Sequence, residues 1–308
     1  LCGRNNGHEV APKAMVNSNT IQSGVGGPVQ SFAAAAAIET GLKPLVPVIG
    51  IQTGGTAMPY GRAPGAPNIA SVANATAMID LFSSAASQVA SRLQTAPNQQ
   101  AFSLYYNAFQ GLVKTANRPT FQRAYTDAKV SLDLLAKNLR TQLQPTANQA
   151  NTWAGVAQTN EKITSLADAL IVAANALKLG LTSNVIIPGF NDDPHGAFGG
   201  NPGMVADGLG RVLENFMAEL AKTPLPGQPG KTLADNIVIT ISGDLPKDSY
   251  RGPGNWTDGT KGDANWMYVM SNGYMRPGWF GEYLTNGKRN YNPGTGRADS
   301  VVSNGTGA

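Results

Sequence analysis

The sequence predicts an α/β fold: a mostly parallel sheet flanked by helices, with a helical insertion and long C-terminal loops. Three observations carry this expectation. Two short apolar runs rich in β-branched residues, Leu45 to Ile51 and Ile237 to Ile241, have the length of buried strands, the first set between Pro44 and Gly54-Gly55. Other stretches repeat apolar residues every three or four positions, the period of a helix with one buried face. The two patterns alternate from Asn184 to Ile241: a strand (NVIIP), a helical stripe at Leu209, Val212, Leu213, Phe216 and Leu220, and a second strand (IVITI). That order reads as a βαβ unit, which implies parallel strands and a right-handed crossover.

The remaining elements follow in chain order. Pro28 to Thr40, with Phe32, five consecutive alanines and Ile38, has high helix propensity. After the strand at Leu45 to Ile51 comes a Gly/Pro-rich loop, Gly54 to Pro67. Ser71 to Leu93 reads as a helix through Val72, Met78, Ile79, Phe82, Val89 and Leu93. Phe121, Tyr125, Ala128, Leu132, Leu135, Leu139 and Leu143 form an amphipathic stripe that stops before Pro145. Another helix spans Asn160 to Leu179, with Gly180 as its stop. Residues 69–180 thus form a helical insertion or cap within one α/β domain that takes in residues 1–308. Beyond Gly243 the chain is rich in Gly, Asn, Pro and Trp, which predicts long loops and short strands such as Trp266 to Met270.

Composition narrows the function classes. Charged residues make up only 14% of 308, against about 25% in ordinary soluble domains, so the surface is polar but largely uncharged, which leans towards an exported or assembly-forming protein. The net charge is +4, yet Lys and Arg are scattered and Lys288-Arg289 is the one adjacent basic pair, which argues against nucleic-acid binding. Cys2, the single cysteine, excludes an intrachain disulfide framework and a cysteine-based zinc site. No apolar run reaches the 18 residues of a transmembrane segment. The chain starts at Leu1 without Met, and the expectation is a processed or trimmed N-terminus whose export signal lies outside this chain.

Chemistry is expected outside the carboxyl ends of the strands, where open α/β sheets carry their functional crevice. Two polar segments leave such ends: Asn191 to Gly196, with Asp193 and His195, and Ser242 to Asp248, with Asp244. Carboxylates and an imidazole converging there suit a Zn²⁺ or Mn²⁺ site. The competing reading is a turn ahead of Pro194 with a locally bonded His195. His8, the other histidine, reads alone as a surface or capping residue. Trp256, Trp266 and Trp279 lie in a Gly-rich region with few aliphatic partners, where they line an interface or pack their own loops. Gly24 to Gly27 lacks the strand and the Lys-Ser/Thr of a phosphate loop, and there is no Gly-x-Ser-x-Gly elbow to support a Ser-His-Asp triad.

Several segments together carry a family likeness. His8-Glu9, LVPVIGIQTGG (Leu45 to Gly55), Asp193-Pro194-His195-Gly196-Ala197-Phe198, IVITI followed by Ser242-Gly243-Asp244, and Gly278 to Tyr283 occur in one order. In that order the chain resembles domain of unknown function 1501, a large family of exported bacterial proteins and a sulfatase-like branch of the alkaline-phosphatase superfamily. The resemblance implies an alkaline-phosphatase-like fold and a periplasmic or extracellular location. It also implies a site of two divalent metals held by Asp and His, with a Ser, Thr or modified Cys nucleophile near the first strand. Asp193, His195, Asp244, Asp258 and His8 are the candidate ligands for Zn, Mn, Mg or Ca. The chain departs from the pattern at three places: the first strand is expected before Leu1, Asp258 is followed by Gly259 where relatives have an Asp-His pair, and no closing helix is evident after Ser300. These departures imply a catalytically degenerate relative that binds or assembles, through self-association or with other exported proteins. The alternative is a metal-dependent hydrolase of sulfate or phosphate esters.

Overall fold

The computed structural model describes residues 2–4, 44–51, 69–83, 96–115, 138–157, 161–187, 202–225, 227–242, 247–248, 257–258, 264–273, 282–283, 289–292 and 297–302. At its centre is a three-stranded parallel sheet. β2 (Val48–Ile51) lies between β3 (Ile69–Val72) and β4 (Asn184–Ile186), with Val48 opposite both Ile69 and Asn184. The register is fixed at the entry to the strands. The carbonyl of Pro47 accepts hydrogen bonds from the backbone N–H groups of Ser183 and Asn184 at 3.3 and 3.1 Å, and the Val46 N–H donates to the carbonyl of Leu181 at 2.9 Å.

Helices cover this sheet. Residues 75–83 (α1) follow β3 directly, and Asn74 caps them by accepting the Ala77 N–H on Oδ1 at 2.8 Å. After α2 (Ala96–Thr115) come α3 (Leu139–Leu143), α4 (Ala147–Ala157), α5 (Glu161–Lys178) and, past β4, α6 (Pro202–Ala221). Proline at the first position of α6 is well placed, because its missing N–H would have had no helical partner there. α5 ends as its sequence requires. Gly180 takes φ 68°, the Leu181 N–H reaches back to the carbonyl of Ala176, and the Gly180 N–H to that of Leu177, both at 3.0 Å. This is the Schellman arrangement, in which glycine accepts the left-handed conformation without a Cβ clash.

Two apolar clusters share α5. On one side Ala169, Val172 and Ala176 meet Ile49 and Ile51 of β2, Met78, Ile79 and Phe82 of α1, and Leu139 and Leu143 of α3. On the other, Ile163, Leu166, Leu170, Ile171 and Ala174 meet Trp153 of α4 and Val212, Phe216 and Leu220 of α6. Each fully buried side chain of this size contributes about 1.5–3 kcal/mol relative to exposure. Ile187, at the end of β4, packs against both clusters. None of the described side chains of α2 is in either cluster, and its Leu104, Tyr105 and Leu112 are 65%, 72% and 69% exposed.

A second group of strands is antiparallel. β8 (Ala264–Ser271) lies between β1 (Cys2–Arg4) and β5 (Val238–Ser242), β6 (Lys247–Asp248) pairs with β7 (Thr257–Asp258), and β10 (Arg289–Asn292) lies between β9 (Glu282–Tyr283) and β11 (Arg297–Val302). The parallel βαβ reading of Asn184 to Ile241 therefore needs correction in its pairing. Strand, helix and strand occur in that order, but β4 pairs with β2, whereas β5 pairs along its whole length with β8. An apolar run does not name its partner, and the eight residues of β8 offer β5 a longer ladder than the three of β4; nor is β5 the buried strand expected, since Val238 and Ile241 are 48% and 41% exposed. Among the described residues, parallel pairing is confined to β2, β3 and β4.

Other expectations also shift. The helix read from Ser71 begins after a strand and the Asn74 cap, and α2 and α4 were not foreseen. The helices read at 160–179 and 209–220 appear as α5 and α6, and the strand read at 266–270 as part of β8. The helix read at 28–40 and the first part of that read at 121–143 lie outside the described residues.

Because Leu143 is fully buried between α3, α5 and the sheet, Leu143→Ala should destabilise the fold by about 2–5 kcal/mol in urea titration. Leu104→Ala on α2 should change it by no more than about 0.5 kcal/mol. Equal losses for the two variants would contradict the assignment of the core.

Candidate functional site

Parallel pairing determines where the loops emerge. β2 and β4 run side by side in the same direction, so residues 52–68 and 188–200 leave the sheet from adjacent carboxyl ends. The strand order is β3-β2-β4, with β2 in the centre. In the chain, the segment carrying Asp193 and His195 follows β4. The side chains of Asp193, His195, Asp244 and His8 lie outside the described residues, as do Trp256 and Trp279.

Two candidates are placed by their backbones. Asp258 is in β7, with Lys247 of β6 as its ladder partner, and Trp266 is in the central strand β8, with Cys2 of β1 opposite. Asp244 falls between β5 and β6, in a chain segment that leaves an antiparallel strand rather than a parallel neighbour of β4. Among the described residues no group of three or more His, Cys, Asp or Glu side chains is arranged to hold a metal ion. Nor is any helix among them long and apolar enough to cross a membrane.

The described residues do contain one polar cluster that sequence reasoning missed, at the junction of α4, α5 and α6. Thr146 and Gln149 form a capping box at the start of α4: the Gln149 N–H donates to Thr146 Oγ1 at 3.2 Å, and the Thr146 N–H to Gln149 Oε1 at 2.9 Å. The cap turns the Gln149 amide inward, where its Nε2 donates to Asn175 Oδ1 at 3.0 Å and to Glu219 Oε2 at 3.2 Å. Asn175 Nδ2 donates to the carbonyl of Leu143 at 3.1 Å. Lys178 Nζ donates to Glu219 Oε2 at 3.3 Å and Lys222 Nζ to Glu219 Oε1 at 2.5 Å. Burial pushes the Glu219 carboxyl up, but the hydrogen bonds from Lys222, Gln149 and Lys178, with the charge of Lys178, outweigh it and hold the group below the ordinary glutamate value.

Each polar group of Gln149 and Asn175 has a partner within this cluster, so its chemistry is that of a joint between helices. Its signals were present in the sequence. Thr146-x-x-Gln149 after Pro145 is a helix start, Asn175 interrupts the alanines of α5, and Glu219 falls on the apolar stripe of α6 beside Phe216 and Leu220.

No protein-family model, curated protein or solved structure matches the chain.

Glu219→Ala should lower stability by about 1–3 kcal/mol, because it leaves the Gln149 amide underbonded and removes the acceptor of two lysines. Lys222→Ala should cost less than about 1 kcal/mol, since the Lys222 side chain is 59% exposed and water replaces its partner. Thermal or urea unfolding of both variants checks the order, and a larger loss in Lys222→Ala would refute it.

Proposed function

We propose that the chain is an exported bacterial protein with an alkaline-phosphatase-superfamily-like α/β frame, which works by binding or assembly rather than by turnover. The observation that carries the reading is the order of its motifs: His8-Glu9, the LVPVIGIQTGG strand and loop, Asp193-Pro194-His195-Gly196, IVITISGD and Gly278 to Tyr283. The parallel pairing of β2 and β4 supports it, because β2 belongs to the second of these segments and β4 precedes the third in the chain.

The donor set argues against turnover. A two-metal hydrolase clamps the attacking and leaving oxygens between ions about 4 Å apart, and the cage takes roughly six ligands. The chain has two histidines, and Asp193, His195, Asp244, Asp258 and His8 make up the donors of one ion rather than two. Carboxylates dominate this set, which suits Mg²⁺, Mn²⁺ or Ca²⁺ as well as Zn²⁺. One observation favours the hydrolase alternative: an Asp and a His follow, in the chain, a strand that pairs in parallel with β2.

Assembly is the second half of the proposal. With few charges on its surface and Trp256, Trp266 and Trp279 in a Gly-rich region, the chain has the composition of an interface with aromatic anchors. The partner is a second copy of the chain or another exported protein.

Calorimetric titration with zinc should show fewer than two equivalents bound, and aryl sulfates and aryl phosphates should remain intact. Two equivalents together with turnover that His195→Ala abolishes would make the hydrolase reading correct. Sedimentation velocity should show species larger than the monomer, reduced in Trp266→Ala. A monomer at every concentration would count against assembly.

A further inference from the structure

We propose that two copies of the chain meet along the outer edge of β5, strand against antiparallel strand, so that β1-β8-β5 continues across a two-fold axis into the same three strands of a second copy. The inference rests on the assembly half of the proposed function and commits its partner to a second copy. β5 ends the order β1-β8-β5, and among the described residues its ladder partner is β8 alone, through five successive pairs from Val238↔Ser271 to Ser242↔Met267. A strand in that position turns a row of backbone N–H and C=O groups away from its ladder, and such a row is a template for another strand.

Edge strands are commonly guarded by a lysine, a proline, a bulge or a covering segment. β5 has none of the first three: its sequence is Val-Ile-Thr-Ile-Ser, and its register with β8 runs without a shift. Cover is thin as well. Val238 and Ile241, which alternation puts on opposite faces of the sheet, are 48% and 41% exposed, and Thr240 is exposed too.

The strand itself indicates what fits it. With Thr240 on the two-fold axis, antiparallel pairing sets Thr240 opposite Thr240, Ile239 opposite Ile241 and Val238 opposite Ser242. Threonine pairs and pairs of apolar β-branched residues are favourable across a ladder. Neither β5 nor β8 has a charged residue, so no like charges oppose a second copy and no charge on these strands selects a partner of opposite sign. The pairing also extends an apolar face. Ile241 is opposite Tyr268 and Ile239 opposite Met270, so these four share one side of the sheet. Ile239 packs against the cluster of α5 and α6, whereas Ile241, Tyr268 and Met270 are 41%, 58% and 41% exposed. Ile239 of the second copy, set beside Ile241, continues that face past what one chain covers. An edge of five residues is a small contact, so the dimer is reversible and depends on concentration.

The test is sedimentation velocity of the whole chain over a range of concentrations, with Thr240→Lys and Thr240→Glu as variants. Because Thr240 is exposed, both should keep the circular dichroism and, at dilutions where the monomer predominates, the urea midpoint of wild type. Wild type should dimerise. Each variant alone sets like charges opposite one another and should raise the dissociation constant at least about fivefold, while an equimolar mixture of the two should return it close to the wild-type value. Hydrogen exchange of wild type needs no substitution and decides the matter even where a variant is unstable: amides of Val238–Ser242 should become better protected as the dimer forms. If the chain assembles without that protection, or both variants assemble as tightly as wild type, or the mixture is no tighter than its components, edge pairing is overturned while assembly stands. A monomer at every concentration would overturn both.

Discussion

Helix α5 is apolar on almost every side, and a helix of that kind has to be covered on both faces. From Ile163 to Ala176 nearly every side chain is buried, with Thr164, Ser165 and Asp168 the exceptions. This constraint organises the rest of the described structure. One face draws in the parallel sheet with α1 and α3, the other draws in α4 and α6, and Ile187 at the end of β4 closes the seam between the two clusters. A chain with so few charges has little else with which to fix the placement of helices, and here apolar shape does most of that work.

Where the helices meet, one buried carboxylate adds direction to packing that would otherwise be unspecific. Apolar contacts between α4, α5 and α6 set a distance, but hydrogen bonds from Gln149 and Lys178 to one oxygen of Glu219 also set rotation and register. Burying that carboxylate is costly on its own, and the two lysines with the amide offset the cost. The same economy explains why the cluster is a joint and not a ligand site: its polar groups are already committed to one another.

What was legible in the sequence follows this division. α5 and α6 were readable because a period of 3.6 sustained over four or five turns has no other explanation, and Gly180 marked where α5 stops. β2 and β4 were readable as short β-branched runs. The partner of β5 was not, because IVITI has no internal mark for parallel or antiparallel pairing, and the choice is made by β8, well away in sequence. α2 escaped notice because its apolar residues are interleaved with Asn, Gln and Ser, and its described Leu104, Tyr105 and Leu112 are exposed. α4 was hidden by Pro145, which ends one helix while Thr146 and Gln149 start the next. Of the candidate site, the sequence identified β4 as the strand that precedes Asp193 and His195, but not that the strand before Asp244 pairs with β8 rather than with β4.

Helix α5 unites the two cores into one cooperative unit. Native-state hydrogen exchange followed residue by residue tests this most directly. Amides of β2, α5 and α6 should exchange only through a common opening with the largest free energy in the molecule, and all should respond alike to small additions of denaturant. If α6 opened together with one face of α5 at a distinctly lower free energy than β2, the two clusters would be separate units, and the account would be wrong.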